Sequence, residues 1–121
     1  ERQRIANFIK EHQIPVFILS GDAHMVAIDD GTHSDYAENG GAPIRVFHAA
    51  ALDKNGSYKG GPYSHGYSKE PGQYGVVEVT DEGKETICFK WYGKSKTGQK
   101  VINTEGKEIS LEFCMDVFTF K

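Results

Sequence analysis

Residues 14–24, IPVFILSGDAH, decide how the rest of this chain is read. Ile14 to Leu19 is almost wholly apolar, and a short run of that kind suits a strand buried on both faces, as in a parallel or mixed sheet with helix cover. Ser20, Gly21 and Asp22 break the run abruptly. Upstream, Ile5, Phe8 and Ile9 recur at helical spacing among Arg2, Arg4, Asn7 and Lys10, which predicts a helix with one apolar stripe facing a core. Pro15 restricts the residue before it, so the helix should stop by Gln13. A helix leading into a buried strand is half of an α/β crossover.

Downstream the texture changes twice. Met25 to Ile28 is a second apolar patch, closed by the turn-forming Asp29-Asp30-Gly31. From Thr32 to Gln73 glycine, serine, histidine, aspartate and tyrosine dominate, and a short strand is expected only within Ile44 to Leu52. Loops this long are uncommon in compact domains unless they serve a function or are disordered. The last third alternates with period two. Tyr74–Thr80 and Thr86–Tyr92 form a predicted hairpin about Asp81-Glu82-Gly83-Lys84, with Ile87, Phe89 and Trp91 on the buried face. A second hairpin is expected from Val101-Ile102-Asn103 through Thr104–Lys107 to a strand over Glu108–Phe120, with Ile109, Leu111, Phe113 and Met115 facing one way. The expected fold is therefore α+β: an N-terminal helix and buried strand, a loop-rich middle, and antiparallel C-terminal β-hairpins in one domain, residues 1–121.

Composition bounds the function. The chain has 121 residues, 14 Lys+Arg against 17 Asp+Glu and a formal net charge of −3, which argues against a dedicated nucleic-acid surface. No apolar run approaches the ~20 residues of a membrane-spanning helix. Glu1 to Lys10 is charged and helical, with no signal-peptide pattern, so the chain is expected to begin inside a structural element, as the C-terminal piece of a longer protein. In that case an apolar patch around the first helix and strand should be exposed and could drive self-association. Cys88 and Cys114 are too few for a disulfide framework, and free thiols are the expected state, with a single pair as the alternative.

The chemistry concentrates at Ser20-Gly21-Asp22-Ala23-His24. Strand ends in α/β sheets project residues into crevices between loops, and Gly21 lets the backbone approach a ligand closely. Asp22 and His24, two apart in an extended segment, can aim at one point. A carboxylate and an imidazole suit zinc, iron or manganese. The competing reading makes Asp22 a cap for the next element and His24 an ordinary hydrogen-bonded residue.

The stretch PVFILSGDAHMVAIDDG (15–31) resembles the C-terminal signature of alkaline phosphatase D-like (PhoD-like) enzymes, of the metallophosphoesterase (calcineurin-like) superfamily. GQYGVVEVTDEG (72–83) and the strand containing FKWYG (89–93) are similar to the end of those proteins. The resemblance implies an α/β/β/α sandwich of which this chain is a fragment, with a dinuclear centre of divalent or trivalent ions (Fe, Ca, Zn or Mn) and phosphate mono- or diesters as substrates. It makes Asp22 a metal ligand and His24 either a second ligand or a catalytic donor near the phosphoryl or leaving oxygen. It also implies a secreted or periplasmic parent. The superfamily's other ligand blocks are missing: Gly21-Asp22 is the sole Gly-Asp, and there is no Gly-Asn-His-Asp. The other ligands must then lie in an upstream catalytic portion, and the isolated chain should bind metal weakly and be inactive. The alternative is a non-catalytic β-rich accessory or binding module in which Asp22 and His24 are structural.

Other residues carry weaker signals. The loop Gly60-Gly61-Pro62-Tyr63-Ser64-His65-Gly66-Tyr67 is a candidate substrate-covering segment, with Tyr63, His65 and Tyr67 as candidate contacts, weighed against a plain surface loop. It lacks the Gly-Lys-Ser/Thr ending of a phosphate-binding P-loop. His48 is expected to be a satisfied core histidine, with a residue facing or supporting the site as the alternative, and His33 with Asp35 a surface pair. Lys94, Lys96 and Lys100 read as a solvated hairpin loop. Ser20 and Ser64 lack the nucleophile elbow.

Overall fold

The computed structural model describes residues 1–83 and 85–116. Helix α1 spans Arg2–His12. Gln13 then turns left-handed, with φ 51°, and its N–H closes on the Ile9 and Lys10 carbonyls, ending the helix two residues before Pro15. Seven strands follow: β1 Phe17–Ser20, β2 Val26–Asp29, β3 Arg45–His48, β4 Tyr67–Ser68, β5 Tyr74–Asp81, β6 Thr86–Lys94 and β7 Ser110–Asp116. The protein is thus a small α+β chain, mostly strand, with one N-terminal helix and two sheets. No helix among the described residues is long and apolar enough to cross a membrane.

The first sheet has the order β1-β3-β2-β4, with β1 parallel to β3 and the other pairs antiparallel. The second is the antiparallel meander β5-β6-β7. Their apolar faces meet through aromatic rings. Trp91 of β6 stacks on Phe47 of β3, with centroids 5.5 Å apart, and meets Phe17 of β1 edge-on at 5.2 Å. Phe17 also contacts Phe89 and Phe113, joining both sheets in one core. The period-two reading of the C-terminal strands holds, since Phe89, Trp91, Leu111, Phe113 and Met115 all pack on that core. Gly75 permits the close approach of the sheets at β5, because a Cβ there would overlap the Ala49 side chain.

Several expectations need correction. The run 14–19 does not form a strand covered on both faces. β1 is an edge strand, and Ile18 and Leu19, which point to opposite faces, are 45% and 53% exposed. Continuous apolarity signals burial, but β1 has a neighbour on one edge only. The fully buried strand is β2, from Val26 through Asp29, which lies between β3 and β4. The helix stripe is also turned differently. Ala6 is buried and Ile9 half-buried against Tyr36, Ala37 and Ala42, whereas Ile5 and Phe8 are 58% and 55% exposed. Arg2 over the Tyr36 ring and Lys10 on the Glu38 carbonyl hold the helix in that orientation.

The cysteines are not free: Cys88 and Cys114 form a disulfide. Antiparallel pairing of β6 with β7 places them directly opposite each other on the face away from the core, a juxtaposition that depends on register. The predicted strand at Val101–Asn103 is reduced to a single bridge, Ile102 with Glu108, beside a turn in which Asn103 Oδ1 accepts the Glu105 and Lys107 amides. Lys84 of the first hairpin turn and the expected continuation of the last strand from residue 117 to Phe120 lie outside the described residues.

Candidate functional site

β1 and β3 run parallel, so their carboxyl ends emerge side by side, Ser20 level with His48. The Ala49 N–H donates to the Ser20 carbonyl at 2.7 Å and ties the two exits together. From there residues 21–24 form a tight turn, with the His24 N–H reaching the Gly21 carbonyl at 3.3 Å. His24 sits in the left-handed region, φ 56°. A non-glycine residue there carries strain of about 1 kcal/mol, a cost that persists only where the surroundings impose it and that recurs at functional sites.

A second segment straps the turn in place. Ser57 Oγ donates to the Ala23 carbonyl (2.8 Å), the Ser57 N–H to the His24 carbonyl (3.0 Å), and Lys59 Nζ to the Asp22 carbonyl (3.2 Å). These bonds take up the main chain and leave the side chains alone. Asp22 is exposed and His24 half-buried, and neither side chain has a hydrogen-bond partner among the described residues. Both remain available as donors to a ligand. Beside the turn, between the ends of the two sheets, lies an open recess of about 310 Å³ lined by Leu19, Ser20, Gly21, Phe47, Ala49, Gly75 and Val77.

The tyrosine loop is drawn to the same turn. Tyr63 and Tyr67 pack on Ala23, Met25 and Ala27, directly behind Asp22 and His24. Tyr58 joins them, 4.3 Å from Tyr67 and 6.3 Å from Tyr63 between centroids. The Tyr63 hydroxyl donates to the Lys59 carbonyl at 2.6 Å, linking this cluster to the strap. Burial, followed by the neighbouring Tyr58, pushes the Tyr63 phenol above its ordinary range. His65 is not part of this group. Its amide bonds the Ile28 carbonyl, its carbonyl accepts from Asn103, and its Nδ1 lies 2.9 Å from Ser64 Oγ. Of the three loop candidates, the structure therefore gathers Tyr63 and Tyr67 at the turn and turns His65 away.

His48 differs from expectation. It lies edge-on to Tyr63 at 5.4 Å, yet its fully buried Nδ1 has no partner among the described residues. Burial lowers its pKa, which favours the neutral ring. His33 and Asp35 do not pair with each other. His33 Nδ1 lies 2.8 Å from Asp29 Oδ2, while Asp35 accepts the Gly41 and Ala42 amides. Lys100 pairs with Glu108 at 3.4 Å and Lys94 bonds the Gly98 carbonyl, as a hairpin loop of lysines would.

Sequence reasoning missed Asp29, the one acidic side chain among the described residues that is almost fully buried, at 1% exposure. Its Oδ1 accepts the Gly31 and His33 amides and the Ser34 hydroxyl, and its Oδ2 accepts the Ser64 amide and faces His33 Nδ1. Burial alone would raise its pKa, but the His33 amide and ring, then the Ser64 and Gly31 amides, outweigh burial and hold the carboxyl below its ordinary value. Asp29 thus anchors the tyrosine loop at Ser64 to the end of β2. An aspartate closing an apolar strand was the available signal.

Among the described residues no group of three or more His, Cys, Asp or Glu side chains is placed to hold a metal ion. Asp22 and His24 share one turn, and neither side chain has a hydrogen-bond partner among the described residues. Family models, curated proteins and solved structures were compared with the chain, and none matches it.

Proposed function

We propose that residues 1–121 are the C-terminal segment of a PhoD-like, metal-dependent phosphoesterase that hydrolyses phosphate mono- or diesters. One observation carries the proposal: Asp22 and His24 stand accessible and unpartnered on a strained turn at the carboxyl ends of a parallel strand pair. A turn held together by its side chains would engage them, whereas here the Ser57–Lys59 strap holds the main chain and leaves both side chains unengaged. Asp22 and His24 are the residues that would hold a metal. The metal would supply Lewis acidity to a phosphoryl oxygen and lower the pKa of the attacking water. The chain's own part is positional. The Ser57–Lys59 strap fixes the turn, and Tyr63 and Tyr67 form an apolar wall behind it. With Tyr58 they offer ring faces to the organic part of an ester.

Two further features support the reading. The open edge of β1, with Ile18 and Leu19 exposed, offers a place for upstream strands that would bring the remaining ligands. The two facing sheets would then be the inner layers of an α/β/β/α sandwich. The Cys88–Cys114 disulfide is in keeping with maturation in an oxidising compartment.

The test uses a longer natural chain that carries residues 1–121. Metal content and hydrolysis of p-nitrophenyl phosphate and bis-p-nitrophenyl phosphate are measured for wild type, Asp22→Ala and His24→Ala. Joint loss of metal and turnover with an intact fold supports the proposal. Unchanged values leave the accessory-module reading, in which the turn is structural.

A further inference from the structure

We infer that the solvent face of α1 is a self-recognition surface, through which two copies of this chain associate with their helices antiparallel. The helix buries Ala6 and half-buries Ile9, and leaves Ile5 and Phe8 more than half exposed along a shallow groove lined by Glu1, Arg4, Ile5, Phe8 and Glu11. Phe8 is already ordered by its own helix, its ring 4.2 Å from that of His12. Arg4 and Glu11 flank this apolar pair, and neither has a partner among the described residues.

The charge pattern selects the occupant. At about 100° per residue, Arg4 and Glu11 fall on the same flank of the Phe8 stripe, on opposite sides of its midpoint along the axis. They lie about 10 Å apart along the helix, too far to pair with each other. A two-fold axis between Ile5 and Phe8 keeps flanks together and reverses direction. It brings Arg4 of one copy within about 3 Å, along the axis, of Glu11 of the other, and does so twice. Ile5 and Phe8 of the two copies meet between these pairs. Such a face is self-complementary at its centre: one operation covers both apolar side chains and pairs Arg4 with Glu11, while Glu1 of each copy falls level with His12 of the other. A single helix face buries less than a standard interface of about 1,600 Å², so the association is weak, with dissociation in the micromolar to millimolar range. The phosphoesterase reading also expects an exposed apolar patch at the first helix, but the inference rests on the charge pattern of that face, and charge reversals test it separately from metal content and turnover.

Sedimentation equilibrium of the 121-residue chain from about 10 μM to 1 mM at low salt tests it. The expected result is a monomer–dimer equilibrium that Phe8→Lys abolishes with the circular dichroism spectrum unchanged. Arg4→Glu or Glu11→Arg alone should weaken the dimer about tenfold, since each reversal turns two attractions into two repulsions. The double variant R4E/E11R should restore it to within about threefold of wild type. A chain monomeric over the whole range overturns the inference, as does a dimer indifferent to the single reversals. A dimer dissolved by Ile18→Lys but not by Phe8→Lys overturns it too, by placing the interface at the β1 edge.

Discussion

Asp29→Asn changes a single atom and should nonetheless be among the most damaging substitutions in this chain. The carboxylate accepts from five donors while almost completely removed from water. An amide keeps one acceptor oxygen and turns the other into a donor. In the better orientation the Gly31 and His33 amides and the Ser34 hydroxyl keep their acceptor, at 2.9, 3.0 and 3.3 Å. The new NH2 then faces the Ser64 N–H and His33 Nδ1, formerly 2.9 and 2.8 Å from Oδ2. The His33 ring can accept from the amide through its other tautomer, but the Ser64 N–H cannot change role. The lost charged-acceptor bond, with the half-buried Ser64 amide left facing a second donor, amounts to about 2 kcal/mol. Urea denaturation followed by tryptophan fluorescence reads this, because Trp91 is fully buried between the sheets.

The same residue sets a pH signature. Its folded pKa is depressed, so its contribution is fully present above the unfolded carboxyl value near 3.9 and is lost as pH falls through the lower folded value. The wild type should therefore lose stability steeply below about pH 4. In Asp29→Asn that part of the acid limb should flatten. A variant within about 0.5 kcal/mol of wild type, with an unchanged acid limb, would refute the view that Asp29 anchors the tyrosine loop.

Three other substitutions follow from local geometry. His24→Gly removes left-handed strain at φ 56° and should hold stability level or raise it by up to about 1 kcal/mol in chemical denaturation, while it removes the candidate ligand. Gly75→Ala drives a methyl into Ala49 and the Phe47 ring and should cost about 1–3 kcal/mol, seen as a lower thermal midpoint. Replacing Cys88 and Cys114 with serine opens a cross-link between residues separated by 26 positions. Chain entropy puts the loss at about 3 kcal/mol, and a reductant should reproduce it in the wild type and leave the double variant unchanged.

Local patterns carried much of the fold. Apolar spacing with Pro15 located α1 but not the face it buries, and alternation placed Phe89, Trp91, Phe113 and Met115 on the inner face of the second sheet. Those signals depend only on neighbours along the chain. What the sequence could not supply was pairing. The run 14–19 looks interior because both of its faces are apolar, yet β1 is an edge strand, a fact about which other strands lie beside it. Cys88 and Cys114 meet through the β6–β7 register, which neither cysteine's neighbours encode. At the candidate site, the sequence pointed to the turn at Gly21–His24 through the abrupt break that Ser20-Gly21-Asp22 makes after an apolar run. The Ser57–Lys59 strap and the part played by Asp29 were not, since both depend on loop segments about thirty residues distant closing back on the turn.

The central claim, that Asp22 and His24 are presented for a metal, can be tested on the chain itself by titrating manganese(II) into the isotopically labelled protein and following amide line broadening by nuclear magnetic resonance. The account predicts broadening centred on Gly21–His24, spreading to Ser57 and Tyr63, and abolished by Asp22→Ala. Broadening centred elsewhere, or no selective broadening at millimolar manganese, would contradict it.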